Sequence, residues 1–216
     1  MDRITAALLL ALALPAASGD YRIEVALEFR VGPITLRTTR ADLDRFFGEA
    51  SVKDGTVNVG EGETSPGTFV YQDDPARVLA ILWHNPFSPE TPSTVSICDQ
   101  YRATTCRWRT ASGITYGTTL KELEALNRRP FRLMGFAWDG HGTIVSWQGG
   151  WLEKEAKGCG RFMLRLTPEP DAVKTQEWRQ VAGGTEFSSG HPAMQKLNPH
   201  VYDMLVDFTY PNACAP

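Results

Sequence analysis

The sequence lacks several features that would assign a function at once. No block of five or six like charges occurs, and the net charge is only −3, from 22 Lys and Arg against 25 Asp and Glu. Nucleic-acid-binding proteins carry clustered basic residues, so we expect no nucleic-acid partner. The G-x-S-x-G, H-E-x-x-H, P-loop and G-x-G-x-x-G motifs are all absent. We therefore predict no catalytic residue, and an enzyme is the less favoured class.

Long hydrophobic runs are also missing, apart from one at the N-terminus. Arg3 is followed by the apolar segment Ile4 to Leu14 and then by small residues up to Gly19. This order is typical of a signal peptide over residues 1–19, and its eleven apolar residues are too few to span a membrane. The sequence thus predicts a periplasmic or secreted protein without a membrane span.

Cysteine is scarce, with only four in the chain: Cys98, Cys106, Cys159 and Cys214. In an exported protein four cysteines favour disulfides, and three pairings are possible. We favour Cys98–Cys106, because seven residues separate them in a predicted hairpin from TVSIC to CRWRT. Cys159–Cys214 follows by default, and the connectivity stays open. Neither C-x-x-C spacing nor clustered histidine is present, so no metal site and no cofactor are predicted.

One phrase of the sequence occurs twice, 80 positions apart, as PITLRTTRADL and GITYGTTLKEL. The residues of the first copy that recur are Ile34, Thr35, Thr38, Thr39 and Leu43, which return as Ile114, Thr115, Thr118, Thr119 and Leu123. In each copy a Thr precedes an acidic residue by three positions and an apolar stripe follows, which predicts a short helix with a capping box; in the first copy either Thr38 or Thr39 can be the N-cap. Gly48 and Asn127 would end these helices in the left-handed conformation.

Strands are predicted around both helices. Alternating residues predict one strand from Tyr21 to Val31. The pair Asp54-Gly55 indicates a hairpin, and a longer loop is expected from Gly60 to Gly67. The predicted fold class is α+β, with two tandem helix-plus-antiparallel-sheet repeats that form one continuous or packed sheet. The first repeat, with an N-terminal strand and a linker hairpin, covers residues 20–110, and the second covers 111–216.

The second repeat is expected to end in a helix and a strand. DAVKTQEWRQVAGG predicts a helix that Asp171 caps. VYDMLVDFTY predicts a strand with one face formed by Tyr202, Met204, Val206, Phe208 and Tyr210.

Tryptophan is abundant, with six residues. We expect the three in predicted strands to lie in the interior; they are Trp83, Trp138 and Trp147. Trp108, between two arginines, and Trp151, after Gly149-Gly150, are predicted to be exposed and to contact a partner. Alternatively, the arginines stack on Trp108 and cover it.

The string WDGHG adds Asp139 and His141 to the predicted binding residues, because it places an acid and an imidazole at a hairpin tip. The alternative is that Asp-Gly-x-Gly is ordinary turn chemistry. The acids of GEGE, residues 60–63, are expected to solvate a loop.

The second copy and the residues after it resemble a group of uncharacterised exported bacterial proteins. The strings that carry the resemblance are GITYGTTLKELEALN, RRPF, GFAWD, SW and GGWL. Their pattern is G-I-x-x-G-x-x-L-x-x-L-x-x-x-N-G-x-P-F, then G-F-x-W-D and S-W. The resemblance covers Gly113 to Leu152 and, more faintly, the first copy. It departs at Arg128, where the pattern has Gly, so the helix ending is expected to differ. The group implies no function.

A looser resemblance is to the tandem units of the β-lactamase inhibitory protein and of the small outer-membrane assembly lipoproteins. Both share a T-x-x-x-L helix entry followed by antiparallel strands. The resemblance implies a fold and the binding of other proteins on a sheet face, and it names no site residue here.

Three functions remain in competition. The favoured one is an exported non-catalytic binding module of the cell envelope, whose partner is another envelope or extracellular protein. The second is an envelope hydrolase acting on glycan or peptidoglycan, which predicts a carboxylate or histidine with a shifted pKa in a cleft. The third is a structural envelope protein.

Overall fold

The computed structural model describes residues 21–25, 29–60, 62–98, 105–138, 140–153 and 161–209. The predicted signal segment and the Cys159–Cys214 pair lie outside these residues. The helices are α1 Arg40–Phe47, α2 Leu120–Asn127, α3 Gln176–Val181 and α4 Pro192–Leu197. The strands are β1 Arg22–Val25, β2 Phe29–Val31, β3 Val52–Gly60, β4 Glu63–Val70, β5 Leu79–Trp83, β6 Pro92–Ile97, β7 Arg109–Thr110, β8 Arg132–Met134, β9 Ile144–Ser146, β10 Arg161–Thr167, β11 Glu186–Ser188 and β12 His200–Asp207.

A six-stranded antiparallel sheet forms the centre of the molecule, in the order β10-β12-β6-β5-β4-β3. Two three-stranded sheets accompany it, β2-β1-β7 and β11-β8-β9. One hydrophobic cluster joins the inner side chains of the central sheet to both repeated helices, through Leu43 of α1 and Leu123 of α2. The structure therefore confirms the α+β class.

Both repeated helices begin as their sequences predict. The Thr39 hydroxyl accepts from the Asp42 N–H at 3.2 Å, and the Asp42 carboxylate accepts from the Thr39 N–H at 2.8 Å. Thr119 and Glu122 form the same capping box at the start of α2. Each box satisfies backbone donors that the first turn of a helix leaves without an intrahelical acceptor.

The strands that follow α1 lie in one sheet, whereas those that follow α2 are divided between two sheets. After α1, strands β3, β4, β5 and β6 are neighbours in chain order. After α2, β8 pairs with β9, a bridge between Thr143 and Arg165 links that region to β10, and β10 pairs with β12. The last strands of the two series, β6 and β12, then pair antiparallel at the middle of the sheet.

The first amide of each repeated helix makes a matching contact. The Arg40 N–H donates to the Pro89 carbonyl at 2.8 Å, shortly before β6 begins. The Leu120 N–H donates to the Pro199 carbonyl at 2.7 Å, immediately before β12 begins. Each helix is thus attached to the chain that enters the last strand of its own series.

The single strand predicted from Tyr21 to Val31 is wrong. The described residues form two short antiparallel strands, β1 and β2, with Ile23 opposite Val31. Alternation has the same period in a hairpin as in one long strand, so the pattern alone does not distinguish them.

The hairpin predicted at Asp54-Gly55 is also wrong, because this pair lies inside β3 opposite Thr68 and Gly67. The positive φ angles that a tight turn requires occur instead at Gly60 and Gly62. The long loop expected from Gly60 to Gly67 is mostly strand β4.

The disulfide Cys98–Cys106 is present, with the two Cα atoms 6.0 Å apart. The hairpin predicted around it is wrong, since β6 belongs to the central sheet and β7 pairs in parallel with β1. The bond therefore connects two sheets rather than the two strands of one hairpin.

The C-terminal part follows the prediction with two differences. The predicted helix divides into a 3₁₀ turn over Pro170–Lys174 and helix α3, which Thr175 caps instead of Asp171. Strand β12 is present, but a register shift opposite Arg165 and Leu166 removes Tyr202 from the buried face. Tyr210 lies outside the described residues, and α4 was not predicted from the sequence. None of the described helices is both long and apolar enough to cross a membrane.

Candidate functional site

A groove of about 630 Å³ lies on the face of the central sheet that points away from the buried cluster. Its position follows from the alternation of β5, in which Leu79, Ile81 and Trp83 are buried whereas Ala80 and Leu82 line the groove. We call this cavity the sheet groove. Its apolar lining is formed by Val57, Phe69, Val78, Ala80, Leu82, Met163 and Leu205. Its polar lining is formed by Thr56, Asn58, Gln72, Thr94, Ser96, Arg165, Asp203 and Asp207.

The β3–β4 hairpin closes one side of the sheet groove. Val57 is only 5 % exposed although it lies on an edge strand. It packs beside Gly67, where an added Cβ would lie 2.7 Å from Val57 Cγ2 and 2.6 Å from the Ile81 carbonyl oxygen. A side chain at position 67 would therefore push this edge strand away from the groove.

A charged pair forms the opposite side of the groove. Arg165 on β10 and Asp203 on β12 are direct cross-strand neighbours, with Nε 3.7 Å from Oδ2. Asp203 is 8 % exposed, and burial raises the pKa of its carboxyl, although Arg165 and the Met204 N–H act in the opposite direction. Arg165 Nε is inaccessible to solvent and has no hydrogen-bond acceptor. The Arg165 side chain as a whole is 36 % exposed and lines the groove, so a bound molecule can contact its accessible part.

His141 lies close to this pair, but its ring is engaged in contacts within the protein. Its Nδ1 accepts from the Ala137 N–H at 3.0 Å, which assigns the proton of the neutral ring to Nε2. The ring packs edge-on against Phe136 and Tyr202. Its centroid lies 5.4 Å from that of the Phe136 ring and 5.9 Å from that of the Tyr202 ring. Burial lowers the pKa of His141, and the positive charge of Arg165 lowers it further. The lowered pKa favours the neutral imidazole, whose ring packs against Tyr202 of β12. Asp139 lies outside the described residues.

The predicted exposure of Trp108 is wrong. Trp108 is 1 % exposed, its Nε1 donates to the Arg77 carbonyl at 2.9 Å, and Tyr21 packs edge-on against it. Neighbouring Arg107 stacks on Tyr21 instead of covering the indole. Trp138 shows the reverse error, since it is 69 % exposed although an interior position was predicted. Trp138 comes after the end of β8, so the alternation of buried and exposed residues in a strand does not apply to it.

The predicted exposure of Trp151 is confirmed at 47 %, and Trp83 and Trp147 are buried as expected. The guanidinium carbon of Arg128 lies 4.5 Å from the centroid of the Trp151 ring. Arg128, rather than Asn127, adopts the left-handed conformation at the end of α2, with φ 61°. The predicted binding residues thus do not form one patch, because Trp108 is buried and His141 belongs to the surroundings of the sheet groove.

Sequence reasoning missed the residues of the sheet groove, although one signal for it exists. The segment LAILW of β5 is apolar on both of its faces. In an antiparallel sheet such a strand indicates that the second face is covered by another element or by a bound molecule.

Within the described residues no three His, Cys, Asp or Glu side chains are grouped closely enough to hold a metal ion. Comparison with protein-family models, with curated proteins and with solved structures finds no match to this chain.

Proposed function

We propose that this chain is an exported, non-catalytic binding protein of the cell envelope, periplasmic or secreted, that takes up its partner in the sheet groove. The observation that carries the proposal is the combination of an apolar floor, on Leu82 and Leu205, with an ion pair at one side between the partly exposed Arg165 and the buried Asp203. Sites with a mainly apolar lining and a few placed polar groups are typical of specific binding. The partner that fits best is a segment of another envelope or extracellular protein, whose backbone carbonyls can accept from the exposed part of the Arg165 side chain.

A duplication of one ancestral unit, over residues 20–110 and 111–216, is part of this proposal. The matching capping boxes and the paired contacts from Arg40 to Pro89 and from Leu120 to Pro199 support it. Two such units joined through β6 and β12 would form a sheet wide enough to hold a partner across both. The analogy with tandem units that bind proteins on a sheet face points the same way.

The proposed location rests on two features. The N-terminal segment has the composition of a signal peptide, and Cys98–Cys106 is a disulfide, which persists in oxidising compartments.

The experiment compares two threonine variants with the wild type. Thr94→Arg places a charged side chain in the sheet groove, whereas Thr64→Arg makes the same change at an exposed position of β4 that does not line it. Immobilised proteins are incubated with envelope extract, and each retained protein is purified and titrated by calorimetry. We expect one saturable partner that Thr64→Arg keeps and Thr94→Arg loses. Retention of every partner by Thr94→Arg, or no saturable partner, contradicts the proposal.

An envelope hydrolase is the second candidate, and the raised pKa of Asp203 in the groove favours it. A general acid needs a raised pKa, but most glycosidases use a second carboxylate about 5–9.5 Å away. Asp207 lines the same groove four residues further along β12, at roughly 13 Å for a rise of about 3.3 Å per residue. Release of soluble fragments from peptidoglycan by the wild type but not by Asp203→Asn would establish the hydrolase.

A further inference from the structure

A second groove, of about 410 Å³, lies between α2 and α4, far along the chain from most of the sheet groove. We call it the α2–α4 groove, and it is lined by Lys121, Glu124, Ala125, Arg128, Arg129 and Gln195. The first four of these recur at helical spacing, so they share one face of α2 and its end. Three cations and one carboxylate thus meet here on a chain whose net charge is −3.

The single carboxylate of this groove is engaged inside the protein. Glu124 Oε2 accepts from the Ser189 hydroxyl at 2.5 Å and from Gln195 Nε2 at 3.1 Å. Ser189 is fully buried and also accepts from the Phe131 N–H at 2.9 Å, so this network joins α2 to the chain before α4. In the described part of the chain, the cations Lys121, Arg128 and Arg129 have no ion pair with any acid.

The helix dipole explains the placement of only some of these cations. Cations are favourable at the C-terminal end of a helix, where Arg128 and Arg129 lie. Lys121, however, is the second residue of α2, where the positive end of the dipole disfavours a cation. Stabilisation of the helix therefore does not explain why all three cations line one groove.

The loop that carries Trp151 is hydrogen-bonded to the end of α2. Asn127 is fully buried, and its Nδ2 donates to the Trp147 and Arg129 carbonyls at 3.0 Å each. Its Oδ1 accepts from the Leu152 N–H at 3.1 Å, and its carbonyl accepts from the Trp151 N–H at 2.9 Å. One asparagine thereby holds the end of α2 and the loop that carries the indole in a single arrangement.

The conformation of Arg128 is also costly. The left-handed region suits glycine, and other residues enter it at a cost of about 1 kcal/mol. Here the position holds an arginine whose guanidinium stacks on Trp151 and also lines the groove. The arrangement therefore couples the exposed aromatic ring to the cationic groove.

We propose that the α2–α4 groove together with Trp151 binds an anionic glycan, that is, a chain of sugar rings bearing carboxylates. Arginine forms paired hydrogen bonds with a carboxylate, and Lys121 adds a further positive charge. The C–H groups on one face of a sugar ring carry partial positive charge and pack on the negative face of an indole. A lipid surface fits less well, because polybasic membrane sites carry about four to eight cations. This site is independent of the sheet groove.

The test uses the purified full chain and two oligosaccharides of one skeleton. The first is a galacturonate hexamer, which carries a carboxylate on each ring, and the second is its methyl ester, which carries none. We expect calorimetry to detect the hexamer, with an affinity that falls as salt is added, and the ester to bind about tenfold more weakly or not at all.

Matched variants locate the site. Trp151→Ala and Arg129→Gln should each weaken hexamer binding about tenfold, the effect of losing one good contact to a charged or aromatic group. Trp138→Ala removes another exposed tryptophan, and Arg179→Gln removes an exposed arginine of α3 outside the groove, so both should bind as the wild type does. Thermal unfolding checks each variant, and Arg129→Gln decides the matter if Trp151→Ala does not fold.

Each of the following results would overturn the proposal. The first is no binding of the hexamer at millimolar concentration. The second is equal binding of the methyl ester, or equal loss in Trp138→Ala and Trp151→Ala. The third is a polyglutamate peptide that binds as tightly as the hexamer and is unaffected by Trp151→Ala, which would make this an acidic-peptide site. None of these results depends on whether the sheet groove binds a protein.

Discussion

Folding buries the Asp203 carboxylate, and its contacts within the protein do not fully replace the hydration that it loses. The nearest cation, Arg165, lies 3.7 Å away and does not form a hydrogen bond with it. Burial therefore outweighs the attraction of Arg165, and the pKa of Asp203 is raised. Such a group costs stability as long as it is ionised, and a bound partner that completes its contacts would reduce that cost.

Replacing Asp203 by asparagine is expected to stabilise the protein at pH 7. Because the folded pKa lies above the unfolded one, the folded chain takes up the proton first as the pH falls. As the pH falls from the raised pKa to the ordinary value of about 3.9, the free energy of unfolding of the wild type therefore increases. Urea unfolding should show Asp203→Asn to be more stable than the wild type at pH 7, with a smaller difference at pH 3.

The exposed Asp171→Asn variant serves as the control and should show no comparable change between the two pH values. If Asp203→Asn is less stable than the wild type at pH 7, the attraction of Arg165 outweighs the burial of the carboxylate.

Exposure of single residues was the least predictable property of this chain. Trp108 was assigned to the surface because of its charged neighbours in sequence, yet Tyr21, 87 positions earlier, covers it. Trp151 was predicted correctly, because Gly149-Gly150 marks a turn and the residue after it leaves the regular structure. Sequence neighbours report on turns, whereas burial depends on chain segments that the sequence does not bring together.

The two repeated helices begin at caps that are local in sequence, but they also need tertiary packing to be stable. Each has eight residues, and isolated helices of that length are unstable in water. Their capping boxes and the burial of Leu43 and Leu123 therefore decide where they begin and which face they bury.

Removing either cap should cost a similar free energy. Thr39→Ala and Thr119→Ala each leave the first-turn amide of the acidic partner without its acceptor, so we expect each to lower the free energy of unfolding by about 1 kcal/mol. Thr39→Ser and Thr119→Ser keep the hydroxyl and should lose much less. Urea unfolding at pH 7 measures all four, and serine variants as unstable as the alanine variants would show that the lost methyl group, not the cap, is responsible.

Local signals explain which elements were predictable. Caps and apolar stripes lie within ten residues, so the start of α2 was predicted and that of α1 was predicted to within one residue. Strand pairing is non-local, so Asp54-Gly55 was assigned to a turn, although its place in β3 is fixed by pairing with β4. An added Cβ at Gly55 would lie 3.1 Å from the Phe69 ring, so this glycine allows side-chain packing and does not form a turn.

At the scale of the whole molecule, both candidate sites depend on segments that are distant in sequence. The sheet groove is lined from β3, β4, β5, β6, β10 and β12, and only the apolar segment of β5 indicated it. The α2–α4 groove needs Gln195 from α4, a helix that no sequence pattern indicated. The residue types were visible in the sequence, but the pairing of β6 with β12 that joins the two halves was not.

The pairing of β6 with β12 should make the two halves unfold together. Ile97 lies opposite Met204, both are fully buried, and one hydrophobic cluster contains them with Leu79 of β5 and Leu164 of β10. Native-state hydrogen exchange should therefore give amides in β5 and β10 the same opening free energy within about 1 kcal/mol. Met204→Ala removes buried contacts at this junction and should lower both values together by about 2–5 kcal/mol. A decrease confined to β10 and β12 would mean that the halves are separate folding units, and a partner bound across the sheet groove would then have to hold them together.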